Sequence, residues 1–271
     1  MSFHPTFVVL RREAFLICGS LSLGLTCLRA TTFSDQAKLY AGLLNVSAAL
    51  ERLMKLANVT DYMIRNNFTM PTESEVSSNG DDLLSMYGAC INLAKHHNIA
   101  DVSAPLVPSA EDEMLKFFSE FSSDTRYGNL DAQKFMLNVG ADPVCRWAHI
   151  LNMVSAGKVA AREANAEMAA RAAATEPEED TVHAIQNCTD INLLPWEQLF
   201  AMPARHARAT PQAMVHVIKM FYPLFNLMRE LGYIGFYGPP GSVEPQIPLY
   251  GEFFLQFRAR DAEILKKRRW P

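Results

Sequence analysis

The stretch SDQAKLYAGLLNVSAALERLMKLANVTDYMIR, residues 34–65, decides the fold class. It contains no proline, and its apolar residues recur every three or four positions, as on one face of an amphipathic helix. Ser34 or Asp35 is suited to cap the first turn. We therefore predict a long helix with the following buried face: Leu39, Leu43, Val46, Leu50, Leu53, Ala57 and Met63.

The same spacing predicts helices along most of the remaining chain. Ser109-Ala-Glu-Asp has the form of a capping box at a helix start. Pro211 is placed for the first turn of a later helix, and Gly232 for its C-terminal end. The helices predicted after the first one span 82–97, 110–122, 130–138, 143–174, 196–202 and 211–231. The expected fold is all-α, a helical bundle with additional C-terminal helices and a proline-rich loop at 235–248.

The N-terminal segment admits two interpretations. Arg11 and Arg12 precede an apolar run over 14–28, as in a secretory signal peptide. Glu13 borders that run, however, and Arg29 lies where cleavage would be expected. We favour a core helix over a signal peptide, and a run of this length is too short to span a membrane.

Composition and cysteine spacing exclude several classes of protein. A net charge of −4 gives no overall attraction to nucleic acid, so RNA binding would need a local basic patch, for which 266–269 (KKRR) is a candidate. The five cysteines include no C-x-x-C pair, which argues against a zinc site and suits a reducing compartment. We expect a cytoplasmic protein without metal or cofactor.

Two polar groups are candidate binding residues. Arg126, Asn129 and Asp131 lie within six residues at a predicted helix junction. Either Asn129 or Asp131 caps the next helix while Arg126 pairs with a carboxylate, or the three side chains face a ligand.

The second group lies on the long helix. Glu51 and Lys55 have the spacing of a surface ion pair, and Arg52 lies beside them. Alternatively, these three side chains face Arg126 across the bundle and share a polar groove with it. Charged groups inside a bundle need partners or water, so such a cluster would be a site.

Several strings resemble uncharacterised bacterial helical proteins of the HEPN superfamily. They are KLYAGLLNVSAALERLMKLANVTDYM (38–63), PTESEV (71–76), GDDLLSMY (80–87), FFSEFSSDTRYGNLD (117–131) and, near the end, IPLYGEFF (247–254) with KKRRW (266–270). The resemblance implies a four- or five-helix bundle, dimerisation, and a role in toxin–antitoxin or phage-defence biology. Ribonucleases of the family use an arginine and a histidine four to six residues apart on one helix. This chain has no such pair.

The resemblance and the missing pair together favour a non-catalytic or cryptic HEPN-like module that binds RNA, nucleotide or a cognate protein partner. The alternatives are a metal-independent ribonuclease that uses Arg126, and a dimeric helical scaffold. We expect a homodimer with no membrane association. Residues 1–139 are predicted to form the HEPN-like bundle, and 140–271 a helical extension that packs on it.

Overall fold

The structure, a computed structural model, describes residues 3–32, 35–72, 75, 82–123, 142–156, 196–238 and 244–271. All regular elements in these ranges are helical, as predicted. They form a helical bundle. The helices are α1 (Pro5–Ala30), α2 (Gln36–Arg65), α3 (Leu83–His96), α4 (Ala110–Ser123), α5 (Pro143–Ala156), α6 (Trp196–Phe236), α7 (Gly251–Phe254) and α8 (Asp261–Lys266), with a 3₁₀ turn at Leu255–Phe257.

Helices α1 and α2 form a closely packed antiparallel pair. A Cβ atom added at Gly24 would lie 2.7 Å from Cγ2 of Val46, and one at Gly42 would lie 2.7 Å from Cγ of Leu28. The two glycines therefore allow the helix backbones to approach each other. The buried residues of α1 include Ile17 and belong to the main core, so the expected core helix is confirmed.

Helix α3 runs parallel to α2. Cys90 approaches the carbonyl oxygen of Met54, and His97 contacts Asp61, so both contacts join residues 36 positions apart. A constant offset means that the two helices run in the same direction. None of the described helices has the length and apolarity needed to cross a membrane.

The starts of α2 and α4 follow the predicted capping residues. The carboxylate of Asp35 accepts a hydrogen bond from the Lys38 amide, which stabilises the first turn of α2. At α4 the hydroxyl oxygen of Ser109 accepts from the Asp112 amide at 3.1 Å. Asp82 caps α3 and also accepts from Ser119 of α4, so it joins two helices.

Helix α6 is longer than the sequence predicts. The two helices expected at 196–202 and 211–231 form one 41-residue helix, so a helix start at Pro211 is wrong. Gly232 is not a C-terminal cap, because the helix continues to Phe236. Gly232 instead permits a close contact, since a Cβ there would lie 2.9 Å from the backbone nitrogen of Tyr250.

The buried residues of the described ranges form one hydrophobic core. Tyr87 of α3 donates a hydrogen bond to the Met220 carbonyl of α6, and the Tyr250 hydroxyl lies 3.2 Å from that of Thr60 on α2. The core includes residues on both sides of the boundary expected at 139/140. The two-part division stays a prediction. The helix predicted at 130–138 and the 157–174 part of the next one lie outside the described residues.

Candidate functional site

The structure describes only one of the two polar groups selected from the sequence. Arg126, Asn129 and Asp131 lie outside the described residues. Lys55 donates to Glu51 at 2.6 Å, which confirms the expected ion pair within α2. Their side chains are 37% and 34% exposed, so the pair adds at most about 1 kcal/mol to stability.

Arg52 joins α2 to α1. Its Nε and Nη2 atoms donate to the two carboxylate oxygens of Glu13, each at 2.7 Å. This bidentate geometry is the strongest form of an arginine–carboxylate contact. Arg52 is thus engaged between two helices. A groove shared with Arg126 stays a prediction.

The structure shows a polar cluster that the sequence did not suggest. Asp61 on α2 has a side chain only 1% exposed, and one of its oxygens lies 2.7 Å from Nε2 of His97. The other oxygen accepts two hydrogen bonds from Arg65, at 2.9 and 2.5 Å. The four-residue spacing of Asp61 and Arg65 within an apolar helix could have indicated the ion pair of this cluster. The His97 contact spans 36 residues and has no local signal.

This cluster closes one end of the bundle rather than forming a reactive centre. Both oxygens of Asp61 are engaged, so the carboxylate has no free acceptor aimed at a substrate. The described residues include no group of three histidine, cysteine, aspartate or glutamate side chains placed to hold a metal ion. Asp61 therefore stabilises the ends of α2 and α3.

A buried histidine lines a small cavity of about 100 Å³ between α2, α5 and α6. His206 is 4% exposed, and its Nε2 lies 2.9 Å from Oδ1 of Asn152. Burial, and then the nearby charge of Arg205, lower its pKa to about 4. His206 is therefore neutral at pH 7. Trp147 and Leu39 form part of the apolar wall.

An open groove of about 940 Å³ lies along α1. Exposed aromatic rings are its main feature. Phe3 is 48% exposed and stacks on Phe7 at 4.5 Å between centroids. Phe15 is 55% exposed and meets Phe253 edge to face at 5.0 Å. We call this surface the aromatic groove, with these phenylalanines in its wall: Phe3, Phe7, Phe15, Phe236 and Phe253.

Charged groups lie in the wall of the aromatic groove and beside it. The guanidinium of Arg11 lies 5.5 Å from the centre of the Phe15 ring, a cation–π contact. Arg12 follows it on the exposed side of α1. Neither arginine has a carboxylate partner among the described residues. Glu252 and Gln256 supply a hydrogen-bond acceptor and an amide on the opposite wall.

This groove can hold flat, unsaturated groups. Exposed phenylalanine rings offer stacking surfaces, and Arg11 offers a planar cation that also binds phosphate. The sequence analysis missed this site because α1 was assessed only as a core helix or a signal peptide. Phe7 and Phe15 are eight residues apart and lie near one face of α1, and Phe3 precedes this helix. That spacing was the available signal.

No family model matches the chain, and comparison with curated proteins and with solved structures finds no significant similarity. Its function therefore has to be inferred from its own residues.

Proposed function

We propose that the protein is a non-catalytic, HEPN-like helical module that binds single-stranded RNA in the aromatic groove. One observation carries this proposal: exposed Phe3 and Phe15 line a concave surface that also presents Arg11. A core helix usually buries such rings, and exposed aromatic rings next to unpaired arginines are typical of surfaces that stack bases and hold phosphates.

RNA fits this surface better than an apolar peptide does. A purely apolar ligand would leave Arg11 and Glu252 desolvated without partners, which is unfavourable. Bases instead combine stacking faces with N–H groups that can donate to the Glu252 carboxylate, and the phosphates can pair with Arg11 and Arg12. Unpaired bases are required, since the bases of a duplex are already stacked on each other.

The proposal is tested by fluorescence anisotropy with a labelled single-stranded RNA, comparing the wild type with Phe15→Ala. One base stacked on an aromatic ring contributes about 1–3 kcal/mol, so affinity should fall roughly 5- to 100-fold. Leu23→Ala is the matched control, because Leu23 is also on α1 and similarly exposed (53%) but lies outside the groove. Equal affinity of Phe15→Ala and the wild type would exclude the groove as the binding surface.

A second candidate function, a dimeric helical scaffold, is favoured by a different face of α1. Val9, Leu16 and Leu23 are spaced by seven residues and are 58%, 45% and 53% exposed. Seven-residue spacing of apolar residues is the pattern of paired helices. Light scattering tests this function. A dimer that Leu16→Glu converts to a monomer supports it, and a monomeric wild type excludes it.

A further inference from the structure

The C-terminal segment folds back onto the end of α1. The backbone nitrogen of Trp270 donates to Oγ1 of Thr26 at 3.1 Å, and the Trp270 side chain is 7% exposed. Lys267 lies 6.0 Å from the centre of the Trp270 ring. These contacts hold the segment against α1, whose last turn contains Arg29, and Arg268 lies two residues before Trp270.

Arg29 and Arg268 have no counter-charge in the described part of the chain. The Nε atom of Arg29 is fully buried and has no hydrogen-bond partner there. Neither arginine forms an ion pair with a described carboxylate. Burial, and then the charge of Arg268, lower the pKa of Arg29. The charge of Arg268 thus acts on Arg29, and no carboxylate among the described residues offsets it.

Arg29 differs from three arginines that have a carboxylate partner. Arg52 and Arg65 each donate two hydrogen bonds to a carboxylate. Arg146 has Glu120 at 2.9 Å. Arg29 is as well enclosed as these residues, yet its guanidinium retains unused donors. Unused guanidinium donors of this kind are available to bind an anion.

We propose that Arg29 and Arg268 together bind one phosphate group. Two guanidinium groups present planar sets of N–H donors that match the oxygens of a phosphate, and an anion between them removes their mutual repulsion. Lys267, held over Trp270, adds positive charge nearby. The carbonyl end of α1 carries partial negative charge, so the side chains and not the backbone must supply the binding.

The segment that carries Arg268 reaches the aromatic groove. Pro271, the residue after Trp270, lines the groove, so the folded-back segment connects the two surfaces along α1. Phe15 and Arg29 are 14 residues apart on the helix, which is about 21 Å. A strand of RNA with bases in the groove can therefore place a phosphate at the arginine pair. The claim that this phosphate belongs to RNA rests on the proposed function. The claim that the two arginines bind an anion does not.

The first test is the salt dependence of RNA affinity for the wild type, Arg29→Gln and Arg268→Gln. Each variant should weaken binding on the order of tenfold at low salt, and reduce the slope of log affinity against log salt by about 0.7. Arg260→Gln is the control, because Arg260 already pairs with Glu263 at 2.7 Å. Its affinity and slope should equal those of the wild type.

The second test uses inorganic phosphate alone and separates the two proposals. At constant ionic strength, phosphate in place of chloride should raise the melting temperature of the wild type and of Arg260→Gln, but not of Arg29→Gln. RNA binding with an unchanged slope in both arginine variants would overturn the phosphate site and leave the RNA function standing. A phosphate effect that requires Arg29, with no RNA bound by the wild type, would support the anion site and refute the RNA function.

Discussion

Lowering the pH from 7 to 5 should destabilise the protein through His206. This side chain is 4% exposed, and its pKa in the folded protein is about 4, lowered first by burial and then by Arg205. In the unfolded chain the imidazole has its ordinary pKa of 6.5. Between these two values the unfolded chain binds a proton that the folded protein does not bind. Stability must therefore fall as the pH decreases through this range.

The magnitude follows from the two pKa values. At pH 7 His206 is mostly neutral in both states, so its contribution is close to zero. At pH 5 about 97% of the unfolded molecules carry the proton, but only about a tenth of the folded ones do. Linkage converts this difference into a loss of about 2 kcal/mol in the free energy of unfolding.

Urea denaturation at pH 7 and pH 5 measures this loss, with His206→Gln as the comparison. The pH dependence that comes from the remaining groups is common to both proteins. The wild type should lose about 2 kcal/mol more than the variant between the two pH values. Parallel losses in the two proteins would show that His206 is protonated as easily in the folded protein as in the unfolded chain.

Three further predictions concern the bundle. Asp61→Ala should lower the free energy of unfolding by about 3 kcal/mol, because it removes a buried carboxylate that joins two helices. Glu51→Ala, which removes one member of an exposed ion pair, should change it by less than about 0.5 kcal/mol. Thermal melts of the two variants test this, and equal effects would refute the role of Asp61. Asp82 has its pKa lowered to about 2 by hydrogen bonds from a serine of α4 and then from its own helix, so its contribution is complete above about pH 4 and is lost as the pH falls towards 2. Denaturation curves of Asp82→Asn should lack that part of the acid dependence, and an unchanged acid profile would contradict it. Gly24→Ala should destabilise the protein by roughly 1–3 kcal/mol, because the added methyl group pushes α1 away from α2. Gly19→Ala has open space for its Cβ atom and should be neutral or stabilise the protein by up to about 1 kcal/mol. Equal stabilities of the two variants would contradict the close approach of the helices.

Local patterns predicted the first helices well, because their signals lie within a few residues. The predicted caps at Asp35 and Ser109 join a side chain to the backbone amide three residues further along the chain. The buried face of α2 was read correctly because helical periodicity reports burial directly. These parts of the fold needed no knowledge of the neighbouring helices.

Features that depend on tertiary contacts were not predicted. Pro211 was expected to start a helix, since an internal proline removes a hydrogen bond and costs about 3 kcal/mol. The apolar face of α6 around it is buried against α2, α4 and α5, and this burial offsets the cost. Gly232 was expected to end that helix, but its role is set by Tyr250, which is 18 positions away.

The candidate site was missed for the same reason. The candidate binding residues selected from the sequence were charged or polar. Those on α2 (Glu51, Arg52 and Lys55) form ion pairs in the structure. The aromatic groove forms only when α1 meets residues from the far end of the chain, such as Phe253. The sequence of α1 can indicate that Phe15 is exposed on a helix. It cannot indicate which residues form the opposite wall of the aromatic groove.

Photochemical crosslinking locates bound RNA most directly. A single-stranded RNA that contains 4-thiouridine would be irradiated with the intact protein, and the crosslinked peptides would be identified by mass spectrometry. We expect crosslinks in the peptides that carry Phe3, Phe15 and Phe253, and their loss on competition with unlabelled RNA. Competable crosslinks confined to peptides of α3 and α4, far from the aromatic groove, would contradict the proposed function.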